Sequence, residues 1–342
     1  MRKLSVNIQN KSYDIIIRND FTDMLSYIKE VYKNKKIFII TDDNVYNLHY
    51  GNLYNILKDD YIVDYVVIPH GEGSKNLDTY KYICEELIKK NIRRNELIIG
   101  FGGGVVGDIA AFVSSTIYRG VNFINIPTTL LSMVDSSIGG KTGIDFCGMK
   151  NILGTFYQPK LVLINLAYLK TLDEEEIKSG MGELIKHGMI GDPSLLEDLI
   201  NEEKIDEDIV HSSLLVKKNV VEVDPYDQKE RMFLNFGHTF GHVIELKYNL
   251  KHGIAVAVGM LMALKMGIDL ELTDSSCYHV LESTLVKYGF DTKLYDYHEY
   301  LEDIKKDKKN LAGKINFVLI KDVGKPFLYT VSENEIEDFL WM

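Results

Sequence analysis

Features that would place this chain in several large classes of protein are scarce or absent. Positive charge is in deficit, because 39 Lys and Arg against 50 Asp and Glu give a net charge of −11. This balance argues against a nucleic-acid surface or a basic membrane patch, so an anionic ligand must be met by a local cationic pocket. The three cysteines, Cys84, Cys147 and Cys277, form no CxxC pair, which indicates reduced thiols in a cytoplasmic protein.

A long hydrophobic run is also missing. The uncharged segment GIAVAVGMLMAL at 253–264 ends at Lys265, is too short to span a bilayer and predicts a buried helix. The N-terminus becomes polar within a few residues, so we expect no signal peptide. The sequence therefore predicts a cytoplasmic protein without a nucleic-acid or membrane partner.

Strand and helix patterns alternate in the first half of the chain. The opening segment 4–20 predicts an antiparallel pair, and 77–90 has the period of a helix. Further β-rich runs lie at 36–43, 65–72, 96–104, 123–131 and 160–169. Alternation at this spacing predicts a parallel sheet with crossover helices.

The length and a change in composition predict two domains. A chain of 342 residues is longer than a single domain with one hydrophobic core usually is. From Leu172 onward, segments rich in Glu, Lys, Leu and Ile predict mostly helices. We therefore expect an α/β domain at 1–165 and a mostly α-helical domain at 166–342. No long linker separates them, so close packing is expected, and their interface is the default place for a site.

A glycine-rich turn predicts a phosphate-binding site. Gly102, Gly104 and Gly107 match the GxGxxG fingerprint, with Gly103 between them, a strand pattern before and a helical pattern after. Without Cβ atoms the backbone can approach a pyrophosphate, and the helix offers free N–H groups. The alternative is a tight strand-to-helix turn without a ligand. The fingerprint is imperfect, because no acidic residue follows about 20 residues later to bind a ribose.

Earlier strand ends offer a better ribose contact. Asp42 and Asn44 follow one strand pattern, and Glu72 and Lys75 follow the next, where they could reach the same crevice. For Ser74, between them, plain helix capping is an equal alternative.

A second polar cluster lies at 126–151. Its candidate residues are Thr128, Thr129, Asp135, Lys141, Lys150 and Asn151. The segment SSIGGKT resembles part of a P-loop, but Ser136 stands where the first glycine belongs, which disfavours hydrolysis of a nucleoside triphosphate. Lysines on small turns suit a compact anionic substrate, although a lone lysine is more often a solvated charge.

The segment LNFGHTFGH predicts a metal site. Arg231, Asn235, His238 and His242 follow one another at spacings of 4, 3 and 4, so a single helix would align them. Four polar residues on one stripe would spoil a core-facing helix, which favours a site. From spacing alone, His238 and His242 form an i, i+4 metal-binding pair.

Two observations weaken that pairing. The residues between the two histidines include no glutamate, so the general base of HExxH is missing. His252 follows after a loop and offers a third nitrogen, while Glu183 and Lys186 share a face of the predicted helix GMGELIKHG beside His187. Two histidines plus Glu183 would form a catalytic zinc site with an open position, but the spacing leaves open which two.

Six motifs in order resemble the 3-dehydroquinate synthase family, of the sugar phosphate cyclases, over nearly the whole chain. They are GFGGGVVGD, IPTTLL, GGKTG, GMGELIKHG, LNFGHTFGH and DKKNLAGKINFVLI. The resemblance implies a Rossmann-like parallel-sheet domain followed by a mostly α-helical domain. It also implies that Glu183, His238 and His252 bind the metal, zinc or else cobalt, and that His242 faces the substrate.

The resemblance further implies a redox-neutral lyase. The family converts 3-deoxy-D-arabino-heptulosonate 7-phosphate to 3-dehydroquinate, in the shikimate pathway toward aromatic amino acids. NAD⁺ oxidises a ring hydroxyl, phosphate is eliminated, the ketone is reduced again and an aldol step closes the ring. A homodimer is expected on the same ground.

Residue roles follow from the same resemblance. NAD contacts are implied for Asp42, Asn44, Glu72, Lys75, Gly103, Gly104, Val105, Asp108, Thr128, Thr129, Lys141, Lys150, Tyr168, Leu169, Lys170 and Thr171. Substrate contacts are implied for Arg119, Asp135, Lys141, Asn151, Lys186, Lys217, Arg231, Asn235, His242 and Lys308, with Lys309 as the alternative to the last. Catalytic roles are implied for Lys141, Lys186, Lys217, Asp227, Arg231, Asn235 and His242.

The sequence departs from the family pattern at two positions. Asp227 replaces a glutamate credited with proton transfer, which keeps the charge but shortens its reach. Ile254 replaces an acid in the family's HGEAV segment, two residues after His252, and metal affinity falls if that acid orients a ligand.

Three alternatives to this function remain at this stage. One is another sugar phosphate cyclase, whose substrate lacks the carboxylate that Arg231 and Arg119 suit. A second is a metal-dependent polyol or glycerol-phosphate dehydrogenase, which would release NADH. The third is a binding protein on an inactive enzyme scaffold, which the complete set of metal-ligand candidates disfavours.

Overall fold

The structure, a computed structural model, describes residues 1–8, 11–201, 204–293, 296–307, 314–332 and 335, with only the backbone of 305–307. It forms two compact units. The first comprises Met1–Asp173 and Asp206–His211, and the second comprises Glu174–Ile205 and Ser212–Met342. The predicted domain limits of 1–165 and 166–342 stay a prediction.

A seven-stranded sheet forms the core of the first unit. The strands of this unit are β1 Arg2–Val6, β2 Tyr13–Arg18, β3 Lys36–Asp42, β4 Ile62–Ile68, β5 Leu97–Gly102, β6 Asn122–Pro127, β7 Lys141–Phe146, β8 Met149–Phe156 and β9 Leu161–Asn165. The sheet order is β1-β2-β9-β6-β5-β3-β4, and all neighbours are parallel except β1 and β2. The predicted parallel sheet with an antiparallel opening pair is therefore confirmed.

Helices cover the sheet of the first unit. They are α1 Met24–Val31, α2 Asp43–Val45, α3 Gly51–Leu57, α4 Leu77–Lys89 and α5 Gly104–Thr116, with a π-helical turn at Tyr46–Tyr50 between α2 and α3. The central strands are buried along their length because helices cover them, as in other parallel sheets. One element is missing from the sequence prediction: β7 and β8 form a separate antiparallel hairpin.

The second unit is mostly helical, as predicted. Its helices are α6 Glu174–Gly191, α7 Pro193–Asn201, the part of α8 Glu207–Val223 from Ser212 onward, α9 His238–Tyr248, α10 His252–Asp269, α11 Ser276–Lys287 and α12 His298–Asp307. It also contains an antiparallel hairpin of β10 Lys314–Ile320 and β11 Pro326–Ser332, which the sequence analysis did not predict.

Helix α10 is the centre of the second unit. It packs against α6, α9, α11 and β10. Its 18 residues are apolar enough to cross a membrane by composition, but 72% of them are buried inside the protein. This is the buried helix that the segment 253–264 predicts.

Candidate active site

The sheet of the first unit has a switch point between β3 and β5. The chain passes from β3 to its neighbour β4 at the edge and then returns to β5 on the other side of β3. In open parallel sheets, ligands bind in the crevice at the carboxyl ends of the strands beside such a reversal. The register pairs Thr41 with Phe101, so Asp42 and Gly102 end their strands side by side. The two predicted cofactor segments therefore meet at one edge of the sheet.

The glycine turn leaves the start of α5 without a side-chain cap. Gly103 is the N-cap residue and has no side chain to accept the first amides. Gly102 is required by packing alone, because a Cβ there would lie 2.7 Å from Val106. At Gly103 a Cβ would lie 3.0 Å from Thr129, and at Gly104 it would lie 3.2 Å from Ser136. The turn therefore combines tight packing with uncapped amides that can bind an anion.

Asp42 and Lys75 are the buried charges of this region. Asp42 accepts a hydrogen bond from the Val45 amide at 2.9 Å, and burial raises the pKa of its carboxyl group. The Lys75 Nζ lies 2.6 Å from Asp108 Oδ2. Burial lowers the pKa of Lys75, but Asp108 and Glu72 outweigh it and the net shift is upward. Lys75 therefore stays charged at neutral pH.

The helix-capping explanation for Ser74 is wrong. Asn76 is the N-cap of α4 and accepts a hydrogen bond from the Thr79 amide at 2.9 Å. Ser74 instead donates to the Pro69 carbonyl at 2.6 Å and holds the loop after β4. Its neighbours Glu72 and Lys75 differ in environment, since Glu72 is exposed and Lys75 is buried.

The residues of the second polar cluster lie directly after β6, in the π-helical turn Ser132–Ser136 and on the β7–β8 hairpin. Thr128 is buried directly after β6, and Thr129 receives the Ser132 amide at 3.2 Å as a local cap. The exposed candidates of the first unit are Asn44, Glu72, Arg119, Lys141, Lys150, Asn151, Lys170 and Thr171, while Val105, Asp108, Asp135 and Leu169 are partly buried. Arg119 and Asn151 have positive φ values of 61° and 55°.

Tyr168 is a core residue. It lies in the 3₁₀ turn Leu166–Thr171 after β9 and is 1% exposed, with its ring against His49, Phe21 and Phe101. Burial raises its pKa, and its hydroxyl has no hydrogen-bond partner among the described residues. The side chain therefore packs the unit, and a cofactor contact from this turn must come from its backbone or from its exposed neighbours.

Backbone contacts between α6 and α10 build the site of the second unit. A Cβ at Gly253 would lie 1.8 Å from the Ser179 carbonyl oxygen, and one at Gly182 would lie 2.2 Å from the Gly253 carbonyl oxygen. The two helices therefore touch through their main chains. Glu183 follows Gly182 and His252 precedes Gly253, so this contact brings their side chains together.

The prediction of one helix through Arg231, Asn235, His238 and His242 is wrong. The first two lie in the 3₁₀ turn Glu230–Asn235, and α9 begins at His238. Gly237 precedes α9 with a φ of +80°, a conformation that favours glycine. A Cβ there would also lie 2.7 Å from the Val256 carbonyl oxygen, so glycine is required at this position. Only the two histidines share a helix.

Glu183, His238 and His252 converge in the second unit. One ligand atom from each lies within 4.8 Å of the others. The Oε1 atom of Glu183 is 3.8 Å from Nε2 of both histidines. His242 is not a member of this group. Its side chain is exposed, and its ring centroid lies 5.5 Å from that of His238 and 6.0 Å from that of His252.

The imidazoles of His238 and His252 are each oriented by a hydrogen-bond acceptor at Nδ1, while Nε2 is the atom that lies 3.8 Å from Glu183. His238 Nδ1 lies 3.2 Å from the Phe236 carbonyl, and His252 Nδ1 lies 2.9 Å from Oε2 of Glu245. Burial and Lys186 hold the pKa of His238 well below its ordinary value. Burial lowers the pKa of His252, but Glu245 and Glu183 outweigh it and the net shift is upward.

The carboxylate of Glu183 is buried and only partly satisfied. Its Oε2 pairs with Lys186, whereas Oε1 has no hydrogen-bond partner among the described residues. A buried carboxylate oxygen without a partner is costly, and here it faces two imidazole nitrogens. A divalent cation fits this arrangement, since two nitrogens and one oxygen are a typical ligand set for catalytic zinc.

Among the described residues of the second unit, three cations are buried despite the negative net charge. Lys186, Lys217 and Arg231 are 1%, 4% and 2% exposed. Arg231 donates from Nη1 to the Pro225 carbonyl at 2.8 Å. Asn235 and Asp227 are partly buried, and Asp227 has a φ of 60°. Lys308 and Lys309 lie outside the described residues.

The sequence analysis missed two carboxylates that support these residues. Asp224 accepts the amides of Gln228, Lys229 and Arg231 at 2.6 to 3.2 Å, which fixes the turn before Arg231. Glu245 holds His252, as described above. A signal for Glu245 exists, because it lies three residues after His242 and continues the 4, 3, 4 spacing.

Comparison with known proteins agrees over both units. Family models described as the N-terminal and C-terminal parts of 3-dehydroquinate synthase match residues 65–179 and 180–310. The 3-dehydroquinate synthase of Clostridium perfringens (strain 13 / Type A) is 44% identical over 345 residues, covering 97% of this chain and 99% of that protein. That of Clostridium botulinum (strain Alaska E43 / Type E3) is 41% identical over 342 residues, covering 96% and 97%.

Solved structures share the fold. A 2-deoxy-scyllo-inosose synthase in complex with carbaglucose-6-phosphate, NAD⁺ and Co²⁺ has a TM-score of 0.86 at 22% identity, covering 99% of both chains. The 2-epi-5-epi-valiolone synthase of Streptomyces hygroscopicus subsp. jinggangensis 5008, with NAD⁺ and Zn²⁺, has a TM-score of 0.84 at 22% identity, covering 98% and 97%. An iron-containing alcohol dehydrogenase reaches only 0.63 at 13% identity, covering 88% and 92%. The chain belongs to the 3-dehydroquinate synthase family.

Proposed function

We propose that this chain converts 3-deoxy-D-arabino-heptulosonate 7-phosphate to 3-dehydroquinate and phosphate in the cytoplasm, with NAD returned to its starting state. The observation that supports this most strongly is identity of 41% to 44% with 3-dehydroquinate synthases over nearly the full length of both proteins. The alternatives, another cyclase or a polyol dehydrogenase, have only fold-level similarity in their favour, at 22% identity or less.

The proposed metal ligands are Glu183, His238 and His252. The support is the convergence of Oε1 with two Nε2 atoms at 3.8 Å and the absence of another partner for Oε1 among the described residues. A bound divalent metal, zinc or cobalt, lowers the pKa of a coordinated substrate hydroxyl and so eases its oxidation. Lys186 pairs with the other carboxylate oxygen and balances the charge of the buried Glu183 side chain.

The proposed NAD site is the switch point of the first unit. Bound NAD would supply the hydride-accepting group of the reaction. The uncapped amides at Gly103 and Gly104 suit a pyrophosphate, and Asp42 suits a ribose. Further proposed contacts are Asn44, Glu72, Lys75, Val105, Asp108, Thr128, Thr129, Lys141, Lys150, and the turn residues Tyr168, Leu169, Lys170 and Thr171.

The substrate has two anionic groups, and the chain supplies cations for both. Arg231 is proposed for the carboxylate, because its guanidinium can donate two parallel hydrogen bonds and is held by the Pro225 carbonyl. Lys141, Asn151, Lys186 and His242 are proposed for the phosphate. Further proposed substrate contacts are Arg119, Asp135, Lys217, Asn235 and Lys308. Asp227 is proposed for proton transfer, with a shorter reach than the family's glutamate.

A homodimer is proposed, and β8 is its proposed surface. All eight residues of β8 are exposed, and β7 is its only partner among the described strands. Met149, Ile152, Leu153 and Phe156 are 36% to 52% exposed along it. A long apolar edge strand favours pairing with another chain, and antiparallel pairing of two β8 strands would give a symmetric dimer.

Phosphate release and NADH absorbance, followed together, test the activity. Purified metal-loaded protein receives the heptulosonate phosphate and catalytic NAD⁺. Stoichiometric phosphate without accumulating NADH is expected. NADH accumulation without phosphate would instead indicate a dehydrogenase, and neither signal with metal bound would indicate a different sugar phosphate.

Sedimentation velocity tests the dimer. Ile152→Lys places a charge in the β8 edge and is expected to convert a dimer to monomers. Val286→Lys, at a site that is 57% exposed on α11, is the matched control and should leave the sedimentation coefficient unchanged. A monomeric parent protein, or a dimer unaffected by Ile152→Lys, would rule out this surface.

A further inference from the structure

Glu245 contacts a candidate metal ligand directly. Its Oε2 lies 2.9 Å from Nδ1 of His252. A carboxylate accepts hydrogen bonds and does not donate them, so Nδ1 carries the proton in this contact. The lone pair of the neutral ring is then on Nε2, the atom that lies 3.8 Å from Glu183 Oε1. Glu245 therefore selects the tautomer and the ring direction that a metal bound at Glu183 requires.

The family pattern places an acid elsewhere. Where the resemblance to the family implies an acid, two residues after His252, this chain has Ile254, whose side chain has no hydrogen-bonding atom. An acidic contact with His252 nevertheless exists, and it comes from α9 rather than from α10. The loss at 254 therefore does not leave His252 without a carboxylate.

We propose that Glu245 is the residue that positions His252 for the metal, and that it does so without help from position 254. The proposal rests on the proposed metal site. His238 is oriented by a backbone carbonyl that no substitution removes, whereas His252 depends on a side chain. Glu245 is 12% and His252 32% exposed at the side chain, so the contact is largely shielded from water.

A matched variant separates two effects on metal binding: loss of a negative charge near the site, and loss of the contact with the His252 ring. Glu176 pairs with Lys251, the residue before His252, and no described hydrogen bond or ion pair joins it to the imidazole. Glu176→Gln removes one negative charge from the same neighbourhood and leaves Glu245 in place. It is therefore the control for both Glu245→Ala and Glu245→Gln.

The test is zinc affinity, measured by competition with a chromophoric chelator. Loss of a residue that orients a metal ligand typically costs about 10- to 100-fold in affinity. We expect a loss of this size for Glu245→Ala, a smaller loss for Glu245→Gln, whose amide oxygen still accepts, and no change for Glu176→Gln. The visible spectrum of the Co²⁺ form should change for Glu245→Ala and not for Glu176→Gln.

Thermal unfolding of the metal-free proteins separates folding from positioning, because a positioning effect lowers zinc affinity with little change in the metal-free midpoint. Wild-type affinity retained by both Glu245 variants would overturn the proposal, as would an equal loss in Glu176→Gln. A tenfold gain in Ile254→Glu would show that Glu245 does not suffice alone and would also overturn it. Failure of the parent protein to bind zinc or cobalt would refute the proposed metal site itself.

Discussion

The two units prepare their polar groups in opposite ways. At the start of α5 in the first unit, Gly103 occupies the capping position and leaves the first amides without a side-chain cap. At the turn before Arg231 in the second unit, the carboxylate of Asp224 accepts the amides of Gln228, Lys229 and Arg231. The first unit thus leaves backbone N–H groups available for a ligand. In the second unit, backbone N–H groups bind Asp224 and fix the turn before Arg231.

This difference predicts different sensitivities. A site made of backbone amides depends on the shape of the turn and tolerates changes in charge nearby. A site made of buried side chains depends on charge balance, because removal of one member leaves the others uncompensated. Glu183 and Lys186, at 0% and 1% exposed, are such a pair. The following substitutions test whether the distinction holds.

The largest effect is expected for Glu183→Gln. The neutral amide cannot balance Lys186 and is a poor metal ligand, so we expect activity and zinc affinity to fall by more than the roughly 100-fold that loss of an orienting residue costs. Zinc competition and phosphate release measure the two effects. NAD affinity, measured by fluorescence quenching, should change little. Retention of tight zinc binding would contradict the proposed ligand set.

Gly253→Ala tests whether the side-chain site of the second unit also depends on a backbone contact, which would contradict the distinction between the units. The added Cβ would lie 1.8 Å from the Ser179 carbonyl oxygen, so α6 and α10 must separate. Overpacking costs about 1–3 kcal/mol, and this contact with a main chain belongs at the upper end. We expect a lower thermal midpoint and weaker zinc binding together.

Gly51→Ala is the matched control for that substitution. No atom lies within 4 Å of its added Cβ, and the residue begins α3. An alanine in a helix is more stable than a glycine by about 0.5–1 kcal/mol, so stability should be unchanged or rise. If Gly253→Ala behaves like Gly51→Ala, the close contact between α6 and α10 is not needed for the site.

Gly103→Ala tests the same distinction in the first unit. The φ of −73° allows alanine, and the added Cβ would lie 3.0 Å from Thr129 at the mouth of the proposed pyrophosphate site. We expect NAD affinity to fall about tenfold, or roughly 1.4 kcal/mol, with zinc affinity unchanged. Isothermal titration with each ligand measures both. Equal losses of NAD and zinc affinity would contradict the assignment of NAD binding to the first unit and metal binding to the second.

Local patterns predicted the first unit better than the second. The apolar runs of β3 and β5 and the glycine turn after β5 are contiguous in sequence, and a parallel sheet brings their carboxyl ends to one edge. The β7–β8 hairpin was missed because its strand β8 is exposed on every residue and has no apolar alternation toward a core. The sequence predicts a polar cluster in this segment but not the two strands that carry it.

The candidate metal site could not be derived from spacing. The i, i+4 pair His238 and His242 is local, whereas Glu183 and His252 come from other helices and meet through contacts at glycine. The predicted single helix is interrupted at Gly237, which has a positive φ and closely approaches α10. Resemblance to the family supplied the ligand set that these tertiary contacts bring together. Periodicity contains no information about which helices cross.

The smallest effect is expected for Asp224→Asn, and it depends on pH. Burial raises the pKa of Asp224, but the amides of Gln228, Lys229 and Arg231 outweigh it and the net shift is downward. A carboxyl group with a lowered pKa stabilises the fold fully above its unfolded value of about 3.9, and that stabilisation is lost as pH falls through the folded value. The amide oxygen of asparagine still accepts hydrogen bonds, so the variant loses only the part that depends on the charge, about 1 kcal/mol, and should unfold at a lower temperature at pH 7.

The difference between Asp224→Asn and the parent protein should then shrink on acidification below about pH 4, where the parent loses the same charge. Thermal midpoints measured across this range give the profile. At pH 7 the variant should also raise KM for the substrate more than it lowers kcat, because Arg231 is proposed to bind the substrate carboxylate. A constant difference at every pH would mean that the Asp224 side chain stabilises by its shape alone. The contrast between amides without a side-chain cap in one unit and amides bound by a carboxylate in the other would then have no electrostatic basis.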